Sequence, residues 1–210
     1  MDLSRVRAVL LDMDGTLVDS DAAVERAWVA WAGEYGIPVA ETLGMAHGNP
    51  SLRTARRLLP GLDDAAARAA AQRQLDLQYD DLSDVRAARG ASELLGVLAR
   101  RRLPWAIVTS ADRRLASARL QAARIDPPLL VTVEDVRAGK PDPEGFLLAA
   151  RRLDVEPGAC LVVEDSEPGI AAGRRAGMLV ATLRGLPGDV ALHDLGELAT
   201  LLARSAPTSA

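Results

Sequence analysis

The chain has 210 residues, enough for one domain with a substantial insertion but too few for two complete enzymes at about 150 residues per domain. Its formal net charge of −4 argues against nonspecific binding to nucleic acid or an anionic membrane, and its single cysteine excludes an internal disulfide or a cysteine-based zinc site. No apolar stretch reaches the roughly 18 residues of a membrane span, and acidic residues come too early for a signal peptide, so we expect a cytoplasmic protein.

Short apolar runs rich in β-branched residues or leucine predict five buried strands. They are Ala8–Leu11, Trp105–Thr109, Leu129–Val133, Cys160–Val163 and Met178–Leu183. None alternates apolar with polar residues, so each strand is expected to be covered on both faces. Helical patterns separate most of them, at Ser92–Arg101, Arg113–Ala123 and Pro143–Leu153. This alternation predicts an α/β fold with a parallel sheet.

The stretch from about Ser20 to Arg89 interrupts this alternation, because it contains no clear strand. A first helix is indicated by apolar side chains at the spacing of one helix face: Val24, Ala27, Trp28, Trp31 and Tyr35. A second helix is expected to end at 58–61, and a third, rich in alanine, covers Asp63–Tyr79. The sequence therefore predicts an all-helical insertion after the first strand.

One face of the helix predicted over Arg113–Ala123 is expected to pack on the sheet. Leu115, Ala118 and Ala122 are the apolar residues that its periodicity turns inward.

The first predicted strand runs directly into Asp12-Met13-Asp14-Gly15-Thr16. Side chains alternate along a strand, so Asp12 and Asp14 point the same way at the strand end, where ligands of parallel sheets bind. Two close carboxylates repel each other, and a hard divalent cation is one natural remedy. Aspartate and glycine also form turns, so the pentapeptide alone favours a metal site and a simple turn about equally.

The second and third candidate elements can contact an anion. Thr109 and Ser110 follow a strand and precede a helix, where hydroxyl and N–H groups form an anion seat, although helix capping is the commoner use of such residues. Lys140 lies in Gly-Lys-Pro-Asp-Pro at 139–143, a turn that can direct a fixed positive charge at a site. A solvated lysine is the alternative.

Glu164 and Asp165 form a second acidic pair at the end of a buried strand. Burying carboxylates is costly unless a cation compensates their charge. Two acidic pairs, a hydroxyl and a lysine at the ends of parallel strands together predict a site for phosphate and magnesium. No glycine-rich nucleotide loop accompanies them, which argues against the γ-phosphate of ATP.

Four segments resemble, in order, the four signatures of the haloacid dehalogenase superfamily. They are DMDGTLVDS at 12–20, IVTSA at 107–111, GKPDP at 139–143 and VVEDSEPGI at 162–170. The resemblance covers nearly the whole chain and is greatest to the β-phosphoglucomutase-like branch. That branch includes phosphatases of sugar phosphates, polyol phosphates, glycerol 3-phosphate and phosphoglycolate.

The resemblance implies a division of the chain into domains. Residues 1–18 and 88–204 would form a Rossmann-like catalytic core, and residues 19–87 a small helical cap inserted after the first strand. Residues 205–210 are small and polar and are expected to be a flexible tail.

The resemblance also implies roles for individual residues. Asp12 would be the nucleophile that attacks phosphorus, and Asp14 the general acid that protonates the leaving alcohol and then the base that activates water. Lys140 would offset charge on the nucleophile and the phosphoryl group, and Thr109 and Ser110 would hold phosphate oxygens. The implied ligands of Mg²⁺ are Asp12, Asp14 through its backbone carbonyl, Glu164 and Asp165.

Substrate selection is expected to fall to the loop at 44–50 between the first two cap helices. His47-Gly48 there resembles the His-Gly pair of sugar- and polyol-phosphatase caps, although an exposed loop histidine is the alternative. Arg53, one turn into the next helix, is a weaker candidate for contacting the substrate. Val24 stands where β-phosphoglucomutases have a cap histidine, which favours water as the final phosphoryl acceptor.

We therefore predict a Mg²⁺-dependent phosphatase that hydrolyses small sugar, polyol or glycerol phosphates through an aspartyl phosphate. Dehalogenases lack the second acidic residue of the first signature, so Asp14 argues against carbon–halogen chemistry. The alternatives are a β-phosphoglucomutase-like mutase, a phosphoglycolate phosphatase and, outside enzymes, a catalytically silent protein that binds phosphorylated metabolites. We expect no nucleic-acid or membrane partner, and a monomer, with a dimer as the alternative.

Overall fold

The structure, a computed structural model, describes residues 3–46 and 50–205. The chain divides into two compact units, Met1–Asp19 with Arg86–Ala210, and Ser20–Val85. We call the first the sheet unit and the second the helical unit. The predicted tail lies outside the described residues except for Ser205, which forms a turn.

The strands belong to the sheet unit. They are β1 (Ala8–Leu11), β2 (Val18–Asp19), β3 (Arg86–Ala87), β4 (Trp105–Val108), β5 (Leu130–Val131), β6 (Cys160–Glu164), β7 (Leu179–Thr182) and β8 (Val190–Ala191). Six of them form one parallel sheet in the order β5-β4-β1-β6-β7-β8, while β2 and β3 pair antiparallel. The predicted α/β fold with a parallel sheet is confirmed.

The helices are distributed over both units. In the helical unit they are α1 (Asp21–Tyr35), α2 (Val39–Ala46), α3 (Ser51–Leu58) and α4 (Asp64–Leu77). In the sheet unit they are α5 (Ala91–Arg101), α6 (Arg113–Ala123), α7 (Glu144–Arg152), α8 (Glu167–Arg175) and α9 (Leu195–Arg204). Within the described ranges, no helix has the length and apolar character that crossing a membrane requires.

The central strands explain why the sheet is the core of its unit. Every residue of β1 and β6 is buried, as their uninterrupted apolar sequences predict for strands covered on both faces. Leu11 of β1 is in register with Ile107 of β4 on one side and with Val163 of β6 on the other. The residues that follow these strands are therefore brought to one edge of the sheet.

Strand β5 ends two residues before the predicted limit at Val133. Thr132 and Asp135 exchange backbone and side-chain hydrogen bonds in a capping box, which starts a short 3₁₀ helix over Val133–Asp135. A 3₁₀ turn cannot continue the ladder with β4, so the strand stops at Val131.

The helical unit packs around a small aromatic cluster on α1. Trp31 is fully buried, stacks on Tyr35 with ring centroids 4.6 Å apart and meets the edge of Trp28 at 5.3 Å. Its indole N–H donates to the carbonyl of Ala70 on α4 at 2.8 Å. Val24 lies half-buried against the same cluster, in keeping with apolar packing at this position.

The helical unit also contains a helix that the sequence analysis did not predict. Helix α2 extends to Ala46, so residues 44–46 of the predicted specificity loop are helical. Gly44 weakens the local helix signal, but burial of Thr42 and Ala46 stabilises the helix. This preference arises from packing, which sequence periodicity over eight residues does not reveal.

Candidate active site

Asp12 follows β1 at the centre of the sheet edge. Its backbone N–H donates to the carbonyl of Val163 at 3.0 Å, which continues the pairing of β1 with β6, and its side chain is nearly buried. Glu164, the last residue of β6, is fully buried beside it. The two signatures that end on β1 and β6 thus meet because parallel strands present their carboxyl ends together.

Lys140, the chain's only lysine, joins these two carboxylates. Its Nζ lies 2.5 Å from Oδ1 of Asp12 and 2.5 Å from Oε1 of Glu164, and its side chain is only 8% exposed. The same ammonium lies 5.2 Å from the ring centroid of Phe146, within the range of a cation–π contact. The solvated alternative for this lysine therefore does not hold.

The turn that carries Lys140 is fixed on both sides. The Glu144 carboxylate accepts the backbone N–H groups of Arg137 and Ala138 at 2.9 and 3.1 Å. The Arg175 guanidinium donates to the carbonyl of Pro141 at 3.0 Å. These bonds hold the turn in place, so less conformational entropy is lost when the long lysine side chain is ordered in the site.

Glu164 is held by its own neighbours. Its Oε2 accepts the N–H groups of Asp165 and Ser166 at 3.1 and 3.2 Å and the Ser166 hydroxyl at 2.9 Å. A Cβ on Gly169 would overlap the carboxylate, so only glycine leaves room for it. With its other oxygen on Lys140, Glu164 acts mainly as an anchor for the ammonium.

The electrostatics of the cluster favour an additional cation. Burial raises the pKa of the Asp12 carboxyl well above its ordinary value; Lys140 opposes the rise, and the charges of Glu164 and Asp165 add to it. Burial alone would lower the pKa of Lys140, but Asp12 and Glu164 outweigh it and raise the pKa, so the ammonium stays charged. One ammonium is therefore shared between two buried carboxylates, with the charge of Asp165 close by.

The donor set is suited to a hard divalent cation. Carboxylate oxygens of Asp12, Glu164 and Asp165 all lie within 4.8 Å of one another, and every donor is oxygen. A cation placed among them would favour the ionised form of Asp12. The residues present fit a metal site of the predicted kind.

Asp14 has a different partner from these three residues. Its Oδ2 lies 2.7 Å from Nη1 of Arg119 on α6, and the Arg119 side chain is only 2% exposed. The structure does not bring the Asp14 side chain into the three-carboxylate cluster. No motif or periodicity in the sequence indicates a buried arginine at position 119.

The buried face of α6 differs from the prediction because Arg119 pairs with Asp14. Leu115 is buried as expected, but Ala122 is exposed and Ala118 half-buried, while Arg119 and Leu120 turn inward. An alanine contributes little apolar area, so Leu120 and the pairing of Arg119 with Asp14 determine the orientation of the helix. Hydrophobic periodicity cannot place a charge whose partner lies more than a hundred residues away.

Asp165 is paired with another arginine that sequence analysis missed. Nε of Arg184, just beyond β7, lies 2.8 Å from its Oδ2, and the Thr16 hydroxyl donates to its Oδ1 at 3.4 Å. Gly15 has φ of +79°, and a Cβ there would overlap both the Asp165 carboxylate and the Arg184 guanidinium. The glycine of the first signature therefore makes room for this pair.

The residues predicted to bind phosphate lie together. Thr109, Ser110 and Lys140 line one pocket, with Phe146 at its wall. Thr109 is buried and its hydroxyl oxygen accepts the N–H of Ala111 at 3.0 Å, which shapes the turn after β4. Ser110 is exposed at the end of this turn, where a ligand can reach its hydroxyl.

The predicted cap residues are only partly described. His47 and Gly48 lie outside the described residues. Arg53 is the third residue of α3 and is exposed to solvent.

Comparison with known proteins agrees with this geometry. A model of the haloacid dehalogenase-like hydrolase family matches residues 6–177. Hexitol phosphatase A of Escherichia coli K12 is 36% identical over 202 residues, which cover 92% of this chain and 94% of that protein. Validoxylamine A 7'-phosphate phosphatase of Streptomyces hygroscopicus subsp. limoneus is 33% identical over 91% of this chain and 95% of that protein.

A solved structure shows the same fold over the full length. The crystal structure of a hydrolase from Pseudomonas syringae is similar with a TM-score of 0.83 at 26% identity, covering 96% of this chain and 100% of that one. The superfamily expected from the four signatures is thus confirmed, and the chain belongs to the haloacid dehalogenase-like hydrolase family.

Proposed function

We propose that this protein is a Mg²⁺-dependent phosphatase of small phosphorylated metabolites, with sugar and polyol phosphates as the expected class. The observation that carries the proposal is the position of Asp12, at the end of the central strand and in contact with the ammonium of Lys140. The names of two full-length relatives, a hexitol phosphatase and a validoxylamine A 7'-phosphate phosphatase, support this substrate class.

The proposed reaction has two steps. A carboxylate oxygen of Asp12 attacks phosphorus, the bond from phosphorus to the substrate oxygen breaks, and Asp14 gives a proton to the departing alcohol. Water then attacks phosphorus, Asp14 takes its proton, and the bond to Asp12 breaks to release inorganic phosphate. Lys140 offsets negative charge on Asp12 and the phosphoryl group, while Ser110 and Thr109 bind phosphate oxygens.

The metal would be held by Asp12 and Asp165, with Glu164 beside them and the backbone carbonyl of Asp14 as a further ligand. Bound Mg²⁺ neutralises charge on the phosphate dianion, which otherwise repels an attacking carboxylate. The oxygen-only cluster and the raised pKa of Asp12 support this assignment.

The helical unit would act as a cap that selects the substrate. His47 would donate to a hydroxyl of the sugar or polyol, Gly48 would allow close approach of the backbone, and Arg53 would be a weaker contact. The carbohydrate-like substrate named for hexitol phosphatase A supports a cap built to recognise hydroxyl groups.

We also propose that the protein works in the cytoplasm as a monomer, without a nucleic-acid or membrane partner. The net charge of −4 and the presence of one, buried, cysteine support this environment.

Phosphate release from a panel of hexitol, hexose, glycerol and glycolate phosphates, with and without Mg²⁺, tests the proposal. We expect Mg²⁺-dependent release that is greatest with a hexitol or hexose phosphate, and loss of turnover in Asp12→Asn. Asp126→Asn, an exposed aspartate of the same unit, is the matched control and should retain the wild-type rate. Isomerisation of a hexose 1-phosphate without net phosphate release would instead identify a mutase. Metabolite binding that Asp12→Asn leaves unchanged, with no turnover in the wild type, would identify a catalytically silent binding protein.

A further inference from the structure

We propose that Arg119 is a positioning residue for the general acid: it holds the Asp14 carboxylate in the orientation from which a proton reaches the leaving oxygen. This inference rests on the proposed phosphatase function. The observation behind it is the ion pair between Arg119 Nη1 and Asp14 Oδ2 at 2.7 Å, formed by a guanidinium that is almost completely buried.

The burial of Arg119 needs a physical reason. Its helix neighbours Arg113 and Arg114 are exposed, as arginines usually are, whereas Arg119 lies on the buried face of α6. Removing a guanidinium from water is costly unless a carboxylate compensates it. The compensating group at 2.7 Å is Asp14, so the position of each side chain depends on the other.

The backbone around Asp14 is fixed, so the contact with Arg119 determines the direction of the Asp14 side chain. Asp14 lies in the turn between β1 and β2, and this turn is closed by hydrogen bonds from Gly15 N–H to the Val18 carbonyl and from Val18 N–H to the Met13 carbonyl. Helix α6 packs beside β2 and β3 and presents Arg119 to the turn. The backbone thus fixes where the Asp14 side chain begins, and Arg119 fixes where it points.

The result is a separation of the two aspartates of the first signature. Asp12 is paired with Lys140 and Asp14 with Arg119, so the two aspartates contact different cations. Proton transfer depends on the distance and angle between donor and acceptor, whereas attack on phosphorus depends on Asp12. Loss of Arg119 should therefore impair proton delivery specifically.

Esters with different leaving groups distinguish positioning from a general loss of structure. An alkyl alcohol leaves slowly unless its oxygen is protonated, whereas p-nitrophenolate leaves readily without a proton. The measurement is the rate of ester cleavage in the first turnover, because the later hydrolysis of the aspartyl phosphate also uses Asp14. Sorbitol 6-phosphate and p-nitrophenyl phosphate are the two probes, followed by rapid quench and stopped flow.

The variants are Arg119→Met, Arg119→Lys and the matched control Arg101→Met. Arg101 is a half-buried arginine on α5 whose guanidinium donates to the backbone carbonyl of Leu202 at 2.5 Å, away from the four signatures. We expect Arg119→Met to slow cleavage of sorbitol 6-phosphate about 10²-fold, the lower end of what a general acid contributes, with KM changed little. Cleavage of p-nitrophenyl phosphate should slow at least ten times less than that.

Arg119→Lys keeps the positive charge without the planar fork, so it should recover part of the selective loss. It also carries the test if Arg119→Met does not fold. Arg101→Met should leave the ratio of the two rates as in the wild type. Equal losses on both esters in the Arg119 variants, or a crystal structure of Arg119→Met with the Asp14 carboxylate unmoved, would overturn the inference. A wild-type protein that cleaves neither ester contradicts the proposed function instead, so the two failures are distinct.

Discussion

The charged residues at the edge of the parallel sheet are buried in their ion pairs, whereas those of the helical unit form their ion pairs in contact with solvent. At the sheet edge, the side chains of Lys140, Glu164 and Arg119 are all less than a tenth exposed, and their ion pairs are 2.5 to 2.7 Å long. In the helical unit, pairs such as Arg73 with Glu34 have similar distances, but both side chains are more than a third exposed. The distance between the charged atoms therefore does not distinguish the ion pairs of the candidate site from those of the protein surface.

The two kinds of ion pair differ in how far water still hydrates their charges. An exposed pair exchanges hydration for a contact of similar free energy, so its loss changes little. A buried pair has given up its hydration, and the loss of one partner leaves an uncompensated charge. Five predictions test this comparison, from the largest expected effect to the smallest.

Removal of divalent metal should have the largest effect, complete loss of turnover that Mg²⁺ restores. The carboxylates of Asp12 and Glu164 share one ammonium and lie close to that of Asp165, so a divalent cation would complete the neutralisation of the cluster. Lys140 is the only lysine, so lysine labelled with ¹⁵N gives one side-chain signal that should shift on addition of Mg²⁺. Asp165→Asn should weaken that response, while Asp126→Asn retains it; full turnover after exhaustive chelation would contradict the prediction.

Lys140→Met should have the second-largest effect, because it leaves two buried carboxylates without their shared cation. We expect kcat to fall about 10²- to 10³-fold and the free energy of unfolding to fall by about 3–5 kcal/mol. Denaturant unfolding and steady-state kinetics measure the two effects. Retention of wild-type stability would show that the ammonium is not needed to compensate the cluster, and Arg137→Met, an exposed cation of the same turn region, is the control.

Trp31→Phe should lower the stability of the helical unit by about 1–3 kcal/mol, because the buried carbonyl of Ala70 loses its indole donor. Hydrogen exchange of amides in α1 and α4 reports this unit separately from the sheet. Trp28→Phe is the control, since it reduces ring volume in the same cluster and no indole bond of Trp28 is found among the described residues. An equal loss in both variants would assign the effect to volume alone.

Asp135→Asn should lower the free energy of unfolding by about 1 kcal/mol at pH 7 through loss of the charged capping box. The Thr132 backbone N–H lowers the pKa of Asp135 most; burial opposes this, and the Thr132 hydroxyl and Arg152 lower it further. A lowered folded-state pKa stabilises above the unfolded value of about 3.9, and this stability is lost as the pH falls through the folded-state pKa. The difference from wild type should therefore be constant near neutrality and disappear in strong acid; a difference independent of pH would exclude the charge as its cause.

Arg73→Ala should have the smallest effect, although its guanidinium contacts both oxygens of Glu34 at 2.6 to 3.2 Å. Solvent screens both partners, so the shift in melting temperature should be smaller than that of Asp135→Asn and should decrease further with added salt. A double-mutant cycle with Glu34→Gln measures the coupling. Coupling as large as that of the Lys140 pair would remove the distinction between the two units.

The sequence was informative wherever one segment carried its own signal. The buried strands were predictable because an apolar run such as Ala8–Leu11 has no alternative to burial on both faces. Asp12 and Glu164 could be placed together because parallel strands align their carboxyl ends. Helix α2 was missed because its stability comes from the burial of Thr42 and Ala46 against other helices.

What the sequence determined by itself was the set of chemical groups and the edge of the sheet that carries them. The tertiary structure alone decided which cation compensates which carboxylate. Lys140 forms ion pairs with Asp12 and Glu164. Arg119 forms one with Asp14, and Arg184 forms one with Asp165. Nothing in the periodicity of α6 or in the end of β7 indicates these arginines, because the carboxylate that each one contacts is distant in sequence. The physical reason is desolvation, which makes the pairings of Lys140 and Arg119 strong only after the fold has removed water from them.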